Sequence, residues 1–280
     1  MTTVLEVIDS GTSYLEKRNI AEARLSMQQL VGHFLALSRV QLYLEFDRPL
    51  TESELIPIRE ALRKRGQGIP LQHILGNVEF AGLIFKSDER ALIPRPETEE
   101  LVDLICQNQD LFPKTPRILD LGTGSGVIGL SLAHRLPKTA EVVLSDVSSK
   151  ALSLAKENAE QLEIPATLVE SSLFEQVSGT FDLIVANLPY IPKSEREQLA
   201  PEVAHDPDLA LFSGSDGLDL IRKTIQTSTN YLNSNSLIAF EVGYNQGQEV
   251  QTLLRQSFPT VGLWSDLNDI PRFPHARTKG

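Results

Sequence analysis

Residues 117–136 read RILDLGTGSGVIGLSLAHRL. The apolar start of this stretch predicts a buried strand, and the apolar residues after Gly126 recur with helical spacing. Glycines at 122, 124 and 126 stand where the strand turns into the helix, so the backbone can approach a ligand without a side-chain clash. Read from Gly124 to Gly129, the same letters match the dinucleotide-binding pattern G-x-G-x-x-G, which is a weak signal when it stands alone.

The chain from residue 117 onward alternates short apolar runs with amphipathic segments. The apolar runs are RILDLG (117–122), EVVLSD (141–146), ATLVE (166–170), FDLIVAN (181–187) and LIAFEVG (237–243). Helical spacing occurs around residues 125–136, 148–161, 217–232 and 245–256. This alternation predicts an α/β fold in which helices cover both faces of a parallel, Rossmann-like sheet.

The first 75 residues have a different character. The stretch AEARLSMQQLVGHFLALSRVQLYL (21–44) repeats apolar residues at three- and four-residue intervals, and no convincing strand is seen in residues 1–75. Thr51 is expected to cap a helix, with Glu54 at the capping-box position and a stop at Gly66. We therefore expect a small helical domain over residues 1–75.

Residues 76–95 change the period from helix to strand. Phe80 and the run 83–85 flank Ala81-Gly82, which predicts a short β-hairpin. A chain of 280 residues exceeds the usual size of one domain. The expected organisation is the helical domain, a hairpin linker over residues 76–95 and the α/β domain over residues 96–280.

Composition limits the classes of partner. Apolar residues make up 41% and charged residues 22% of the chain, as in an ordinary globular protein. The formal net charge is −11, whereas proteins that bind nucleic acid tightly show a basic stripe that neutralises phosphates. We therefore expect no direct binding of nucleic acid.

Cysteine and histidine usage excludes other chemistries. The single cysteine, Cys106, rules out an internal disulfide, and its helical context LVDLIC predicts a buried thiol rather than a nucleophile. The five histidines form no HxxxH pair, so no metal site is expected. The start of the chain lacks a signal-peptide pattern and no apolar run approaches the roughly 20 residues that span a bilayer, so we expect a cytoplasmic protein.

Asp120 and Asp146 bear on which cofactor the glycine loop would hold. Asp146 ends the next strand, twenty residues after Gly126, where an acidic group can hydrogen-bond ribose hydroxyls in NAD enzymes and in S-adenosylmethionine (SAM) methyltransferases alike. It could also simply cap the helix that starts in DVSSKAL. Asp120, just before the first glycine, suits a ligand with a positive amino group and a sulfonium, and suits a pyrophosphate badly because like charges repel. The loop therefore favours SAM.

A second candidate site follows the fourth strand of the sheet, in FDLIVANLPY (181–190). Asn and Pro punctuate turns everywhere, so a plain turn is the alternative. On an open α/β sheet, however, ligands lie beyond the carboxyl ends of the strands, which would put this turn beside the cofactor. The Asn187 side-chain oxygen and the Leu188 carbonyl could then accept both N–H bonds of a planar amide or amine. Pro189 would fix the direction of that carbonyl, and Tyr190 would supply a flat wall.

At this point the sequence resembles a known family. The N-x-P-Y tetrapeptide is similar to the N-P-P-Y of methyltransferases that act on planar nitrogens, and ALIPRPETEELV (91–102) resembles the LIPRPETE segment of the release-factor glutamine N5-methyltransferases of the PrmC/HemK type. Further blocks that resemble this family are GNVEFAGLIF (76–85), EVAHDPDLALFSGSDGL (202–218) and FEVGYNQ (240–246). The resemblance covers nearly the whole chain.

The resemblance implies an activity: methylation of the glutamine in the Gly-Gly-Gln loop of peptide chain release factors. It implies a class I SAM methyltransferase domain joined by the hairpin to a helical substrate-recognition domain, and we expect a monomer. Carried over by motif, the expected SAM contacts are Asp120, Gly122, Thr123, Gly124, Ser125, Gly126, Asp146, Ser172, Leu173 and Asn187. The expected substrate contacts are Arg95, Glu97, Asn187, Leu188, Pro189 and Tyr190, of which Asn187, Pro189 and Tyr190 are the expected catalytic residues.

The chain departs from the family pattern in three places. Leu188 stands where the family usually has proline, which predicts a less rigid but working loop. Ser172 stands where the family often carries an aspartate near the adenine, and HDP at 205–207 replaces a more usual glutamate-proline pair. These positions bear on adenine contact and on substrate docking respectively.

Several other functions stay open at this point. The same chemistry could act on a glutamine of a ribosomal protein, and N-x-P-Y alone cannot separate an amide from the amine of a nucleic-acid base. The glycine pattern alone would also suit an NAD-dependent oxidoreductase, although no proton-relay residue stands near the fourth strand. A pure binding module is the last alternative.

Overall fold

The computed structural model describes residues 2–136, 140–199 and 202–279. The chain divides into two compact units, Met1–Asn77 with Ala200–His205, and Val78–Leu199 with Asp206–Gly280. The role of residues 76–95 as a linker stays a prediction.

The first unit is helical. Its helices are α1 (Val4–Glu16), α2 (Ala23–Leu35), α3 (Arg39–Leu44), α4 (Glu52–Gly66) and α5 (Leu71–Leu75). The predicted capping box at the start of α4 is present: the Thr51 side chain accepts from the backbone of Glu54, and the Glu54 side chain accepts from the backbone of Thr51. Gly66 is the last residue of this helix, as expected. One contiguous core of fully buried side chains, including Ile8, Met27 and Ile58, holds the helices together.

The second unit alternates strands and helices. Its elements in chain order are β1 (Asn77–Phe80), β2 (Leu83–Lys86), α6 (Pro96–Gln107), β3 (Arg117–Leu121), α7 (Val127–Arg135), β4 (Glu141–Asp146), α8 (Ser149–Gln161), β5 (Thr167–Glu170), β6 (Phe181–Ala186), α9 (Asp208–Leu211), α10 (Asp219–Ser228), β7 (Leu232–Phe240), α11 (Gly247–Leu254), β8 (Thr260–Trp264) and β9 (Phe273–Arg277). Short 3₁₀ segments lie at Gln109–Leu111 and Lys193–Gln198, and the first unit has one at Val203–His205. The expected hairpin is β1–β2, turning at Ala81 and Gly82.

The main sheet reverses its strand order at β3. Among the described residues it has seven strands in the order β5-β4-β3-β6-β7-β9-β8, and neighbouring strands from β5 to β7 are parallel. The chain first winds outward from β3 to β5 and then returns to the other side of β3 with β6. A crevice at the carboxyl ends of β3 and β6 is therefore the place where such a sheet binds ligands.

The end of the sheet differs from the expected all-parallel arrangement. β9 pairs antiparallel with both β7 and β8, so the sheet is mixed. The sequence pattern missed these two strands because Gly262 interrupts one, Pro274 stands in the other, and neither has the long apolar run of a central strand. An antiparallel edge on an otherwise parallel sheet is common in α/β folds.

Alternate side chains of the central strands enter two separate cores. In β6, Leu183 and Val185 pack in one apolar cluster and Ile184 and Ala186 in the other. Successive side chains of a strand point to opposite faces, so a strand covered by helices on both sides reads as an unbroken apolar run. This burial is why the apolar run LIVA (183–186) is continuous, and it makes the carboxyl end of β6 a rigid support for the segment that follows it.

Candidate active site

The sheet register brings the two sequence motifs together. Leu121, the last residue of β3, pairs with Ala186, the last residue of β6, so the glycine loop and the N-L-P-Y segment leave the sheet side by side. A Cβ atom added at Gly122 would lie 2.8 Å from Cδ2 of Leu188. The close approach, together with a φ of 73° at Gly122, explains why glycine stands at this position.

Asp120 holds the glycine loop from below. Its side chain is fully buried, and its Oδ2 accepts hydrogen bonds from the Thr123 hydroxyl (2.6 Å) and from the Gly129 backbone N–H (2.8 Å). Burial raises the pKa of this carboxyl to about 6. Asp120 does not line the cavity described below, so the structure places it as an anchor that ties the start of α7 to the loop.

Asp146 connects the loop to the end of β4. Its Oδ2 accepts from the Gly124 backbone N–H at 2.9 Å, and its Oδ1 accepts from the Ser148 N–H at 2.8 Å. The cap of α8 is Ser148, whose side chain accepts from Ala151, so the simple helix-cap alternative for Asp146 is wrong. Burial raises the pKa of the Asp146 carboxyl.

One cavity of about 320 Å³ lies over the carboxyl ends of these strands, within the volume range of ligand sites. Most of the expected SAM contacts line it, and so do three residues of the N-L-P-Y segment. The expected residues on its wall are Gly122, Thr123, Gly124, Ser125, Asp146, Ser172, Leu173, Asn187, Leu188 and Pro189. Residues 90–92, Pro94 and Thr98 complete one side, and Leu209 and Phe212 contribute an apolar part.

The chemistry of the wall fits SAM better than a dinucleotide. Of the described residues that line the cavity, the ionisable ones are Asp146 and Arg90. Arg90 already pairs with Asp88 and Glu157, so it is committed to carboxylates rather than open to a pyrophosphate. Apolar neighbours such as Ile128 suit an adenine ring, and the acidic group suits ribose hydroxyls and a cationic ligand.

Other expected residues lie away from the cavity wall. Gly126 caps α7, and Glu97 lies half-buried in the first turn of α6. Arg95 forms an ion pair with the buried Asp206 at 2.9 Å. Tyr190 is held by its backbone carbonyl, which accepts from Gln246 Nε2 at 2.9 Å, and burial raises the pKa of its phenol. The roles expected for these residues stay predictions.

The N-L-P-Y segment is fixed by packing as well as by proline. Leu188 is buried and belongs to the apolar cluster that contains Ile184 and Ala186. The Asn187 Nδ2 donates to the Thr98 hydroxyl at 3.4 Å. Leu188 therefore anchors the loop by packing its side chain against Gly122, whereas a proline at position 188 would instead restrict the backbone.

Four residues that the sequence reasoning did not select support this loop and the segment facing it. Thr98, Glu241 and Gln246 contact Asn187 or Tyr190, and Asp206 accepts from the Ile93 backbone N–H at 3.1 Å as well as from Arg95. Each lies inside a block quoted above for its family resemblance. The only sequence signal for each of the four was a polar residue within such a block, and the motif alone did not assign it a contact. HDP therefore contributes a buried anchor for the segment 91–97.

The residues that the structure describes were searched for membrane-spanning helices and for metal sites. None of their helices is long and apolar enough to cross a membrane. No group of three or more His, Cys, Asp or Glu side chains among them is placed to hold a metal ion.

A glycine loop and an acidic strand end share one cavity with residues 187–189 at the switch point of the sheet, which is the architecture of a class I SAM-dependent methyltransferase. Residues 6–76 match the family described as PrmC N-terminal domain, and residues 98–214 match the methyltransferase small domain. Release factor glutamine methyltransferases from Chlorobaculum tepidum and Geobacter sulfurreducens are 39% and 41% identical to this chain, each over 96% of it and 95% of the relative. The chain belongs to the release factor glutamine methyltransferase family.

The fold also matches a solved structure of more distant sequence. The ribosomal protein L11 methylase from Lactobacillus delbrueckii subsp. bulgaricus superposes with a TM-score of 0.50 at 22% identity, covering 66% of this chain and 80% of that one. At this identity the likeness supports the fold alone.

Proposed function

We propose that this protein uses SAM to methylate the side-chain amide of a glutamine in peptide chain release factors, at the N5 nitrogen of the Gly-Gly-Gln motif. The observation that carries the proposal is the position of Asn187: it follows β6 and lines the same cavity as the glycine loop and Asp146. The names of the two relatives reported above point to the same substrate class.

The cofactor would be held by the wall already described. The backbone of residues 122–125 leaves room for the amino-acid part of SAM, the Asp146 carboxylate faces the ribose hydroxyls, and Leu173 packs against the adenine. Asp120 acts from beneath by keeping the loop in place. SAM supplies an electrophilic methyl group when it is bound.

The protein's own contribution is to orient a poor nucleophile. The lone pair of an amide nitrogen is delocalised, so it has to be aimed. We assign the Asn187 Oδ1 and the Leu188 carbonyl as acceptors for the two N–H bonds of the glutamine amide, with Pro189 restricting the backbone and Tyr190 bordering the amide plane. Acceptors that are already in place stabilise the positive charge that develops on the nitrogen without reorganisation. The methylated nitrogen is acidic and releases its extra proton to water, so no strong base is needed.

The setting follows from the substrate. We place the reaction in the cytoplasm, with a monomer acting on a protein rather than on nucleic acid, and the net charge of −11 supports the latter choice. We assign substrate recognition to the helical residues 1–75.

The direct test is incubation with methyl-labelled SAM and a purified release factor, followed by mapping of the label by mass spectrometry. Label on the glutamine of the Gly-Gly-Gln motif supports the proposal. Label only on a ribosomal protein would show that the substrate is that protein and not a release factor, and label only on nucleic acid would overturn the proposal.

The NAD alternative has its own test. A ligand at a hundred times its dissociation constant stabilises a folded protein by roughly 2.7 kcal/mol. We expect SAM to raise the melting temperature and NAD to leave it unchanged; a rise with NAD alone would contradict the cofactor assignment.

A further inference from the structure

Glu241 carries a buried carboxyl that the proposed chemistry does not yet use. Glu241 directly follows β7 and is only 1% exposed. Its backbone N–H donates to the Ala186 carbonyl at 3.0 Å. Ala186 immediately precedes Asn187. The sheet therefore holds Glu241 directly beside the start of the N-L-P-Y segment.

The side chain of Glu241 forms a small polar cluster with two other residues. Thr98 and Asn187 face the Glu241 carboxyl, and as hydrogen-bond donors they lower its pKa; Glu241 Oε2 is buried without a closer partner among the described residues, and Asn187 Nδ2 donates to the Thr98 hydroxyl at 3.4 Å. Thr98 is itself only 2% exposed and lies in the first turn of α6. Sheet and helix thus hold the two partners of Asn187 from different directions.

Counting donors and acceptors shows what this cluster does. An ionised carboxylate offers acceptors only, a threonine hydroxyl offers one donor and two acceptor lone pairs, and an amide nitrogen offers two donors. If Glu241 and Thr98 take the N–H groups of Asn187, the amide can point only its oxygen toward a ligand. Without them the amide can rotate and present a donor to the N–H groups of the substrate, which would repel it.

We infer that Glu241, acting with Thr98, is a positioning residue that fixes the amide of Asn187 with its oxygen turned to the substrate. This inference rests on the proposed function for its catalytic meaning, but the orientation itself is a property of the protein alone. A buried negative charge at this point also favours the positive charge that develops on the reacting nitrogen.

The charges around Glu241 predict a dependence on pH. Burial raises the pKa of the carboxyl to about 7, hydrogen bonds from Thr98 and Asn187 and the nearby Arg272 lower it, and Glu97 raises it. The Tyr190 phenol also faces the carboxyl, and its own pKa is raised by burial, so it stays neutral in this range. Below about pH 7 the Glu241 carboxyl gains a proton and becomes a donor, which disturbs the cluster. Methyl transfer should therefore rise through this pH as Glu241 ionises.

The kinetic test compares Glu241→Gln with Glu249→Gln, an exposed glutamate on α11 that pairs with Arg222. Turnover is measured from pH 5.5 to 9 with labelled SAM and a purified release factor, together with the dissociation constant of SAM. We expect Glu241→Gln to lose at least tenfold in kcat at pH 8, to lose the rise near pH 7 and to keep SAM affinity within about twofold. Glu249→Gln should follow the unmodified protein. An unchanged rate and an unchanged pH profile in Glu241→Gln would overturn the inference.

A second measurement needs neither substrate nor variant turnover. The side-chain amide resonance of Asn187, identified by its loss in Asn187→Ala, is followed by ¹⁵N NMR as a function of pH. We expect a titration with a midpoint near 7 in the unmodified protein and none in Glu241→Gln. A resonance that does not titrate overturns the positioning role, even if release factors are methylated. A resonance that titrates while no release factor is methylated supports the positioning role and instead contradicts the proposed function.

Discussion

At the scale of single residues, the most specific prediction concerns the side chain of Asn187. Removal of its side-chain acceptor by Asn187→Ala should lower methyl transfer by about 100-fold or more, as loss of one preorganised polar group does in other active sites. The SAM dissociation constant should stay within about threefold, because most of the cavity wall is untouched. Asn230→Ala, at an exposed asparagine, is the matched control. Near-normal turnover by Asn187→Ala would contradict the amide-clamp role.

Gly122 allows a paired test of close packing. Gly122 and Gly82 have φ values of 73° and 78°, so an alanine at either position carries the same left-handed backbone, at a cost of roughly 1–2 kcal/mol. Only at Gly122 would the added Cβ meet a neighbour, Leu188 at 2.8 Å; at Gly82 nothing lies within 4 Å. We expect Gly82→Ala to lower stability and keep SAM affinity, and Gly122→Ala to lower both.

A substitution at Leu188, which the added Cβ at Gly122 would meet, checks this explanation. Leu188→Ala in the Gly122→Ala background should restore part of the SAM affinity, because it removes the methyl group that the new Cβ meets. Both properties are measured by urea unfolding and by SAM titration. Equal effects of the two single glycine variants would show that Leu188 does not limit the approach of the glycine loop.

At the scale of whole elements, the sequence predicted the parts of the fold that repeat. Strands β3, β4 and β6 and the second half of β7 are buried on both faces and therefore appear as apolar runs, and the helices between the strands show their spacing. β8 escaped because it is only half-buried at the edge of the sheet, and β9 escaped because Pro274 interrupts its pattern and its register depends on pairing with β7. Pairing between residues 36 to 40 positions apart in the chain has no signature in a local window.

The site divides in the same way. Residues such as Asn187 and Gly122 could be selected as site candidates because each belongs to a short contiguous motif, whose residues are close in space whatever the rest of the fold is. Glu241 and Gln246 could not be assigned a role, because their contacts come from segments far apart in the chain that only the folded sheet brings together. The substrate contacts expected for Arg95 and Glu97 stay predictions; the structure pairs Arg95 with Asp206, and the charge of Glu97 raises the pKa of Glu241.

Gln246 ties three loops together at this scale. Its Nε2 donates to the carbonyls of Tyr190 (2.9 Å) and Asp216 (3.2 Å), and its Oε1 accepts from the Gly243 N–H at 2.9 Å. Gln246→Leu keeps the volume but leaves these partly buried backbone groups without their side-chain partner, which should destabilise the protein by about 1–3 kcal/mol. Turnover should also fall, since Tyr190 loses its anchor.

The control is Gln248→Leu, at an exposed residue of α11, the helix that directly follows Gln246. It should change stability by less than about 0.5 kcal/mol and leave turnover intact. Thermal unfolding and the labelled methyl-transfer assay report both quantities. A Gln246→Leu protein as stable and active as Gln248→Leu would show that the three loops hold their positions without the clamp.

At the scale of the whole molecule, buried carboxyls couple stability to pH. The pKa values of Asp120 and Glu241 are raised by burial to about 6 and about 7, above the 3.8 and 4.5 of the free groups. The folded protein therefore holds protons that the unfolded chain has already released. The stabilisation from each group is complete below about pH 4 and is lost as the pH rises through 6 and 7. Carboxyls with lowered pKa values, such as Glu157 at about 2, act in the opposite sense and at lower pH.

Glu241→Gln isolates one of these contributions. Between pH 5 and pH 8 the unmodified protein should lose roughly 2 kcal/mol of unfolding free energy through Glu241 alone, because 1.4 kcal/mol corresponds to one pKa unit and the carboxyl is fully buried. Asp120 acts in the same direction and His275, whose pKa is lowered by burial, in the opposite one, but both are common to the proteins compared. Urea unfolding at the two pH values, with Glu249→Gln as the exposed control, should show a smaller loss only in Glu241→Gln. Parallel losses in all three proteins would mean that Glu241 is ionised at pH 5, and that the cluster around Asn187 is not set by its protonation.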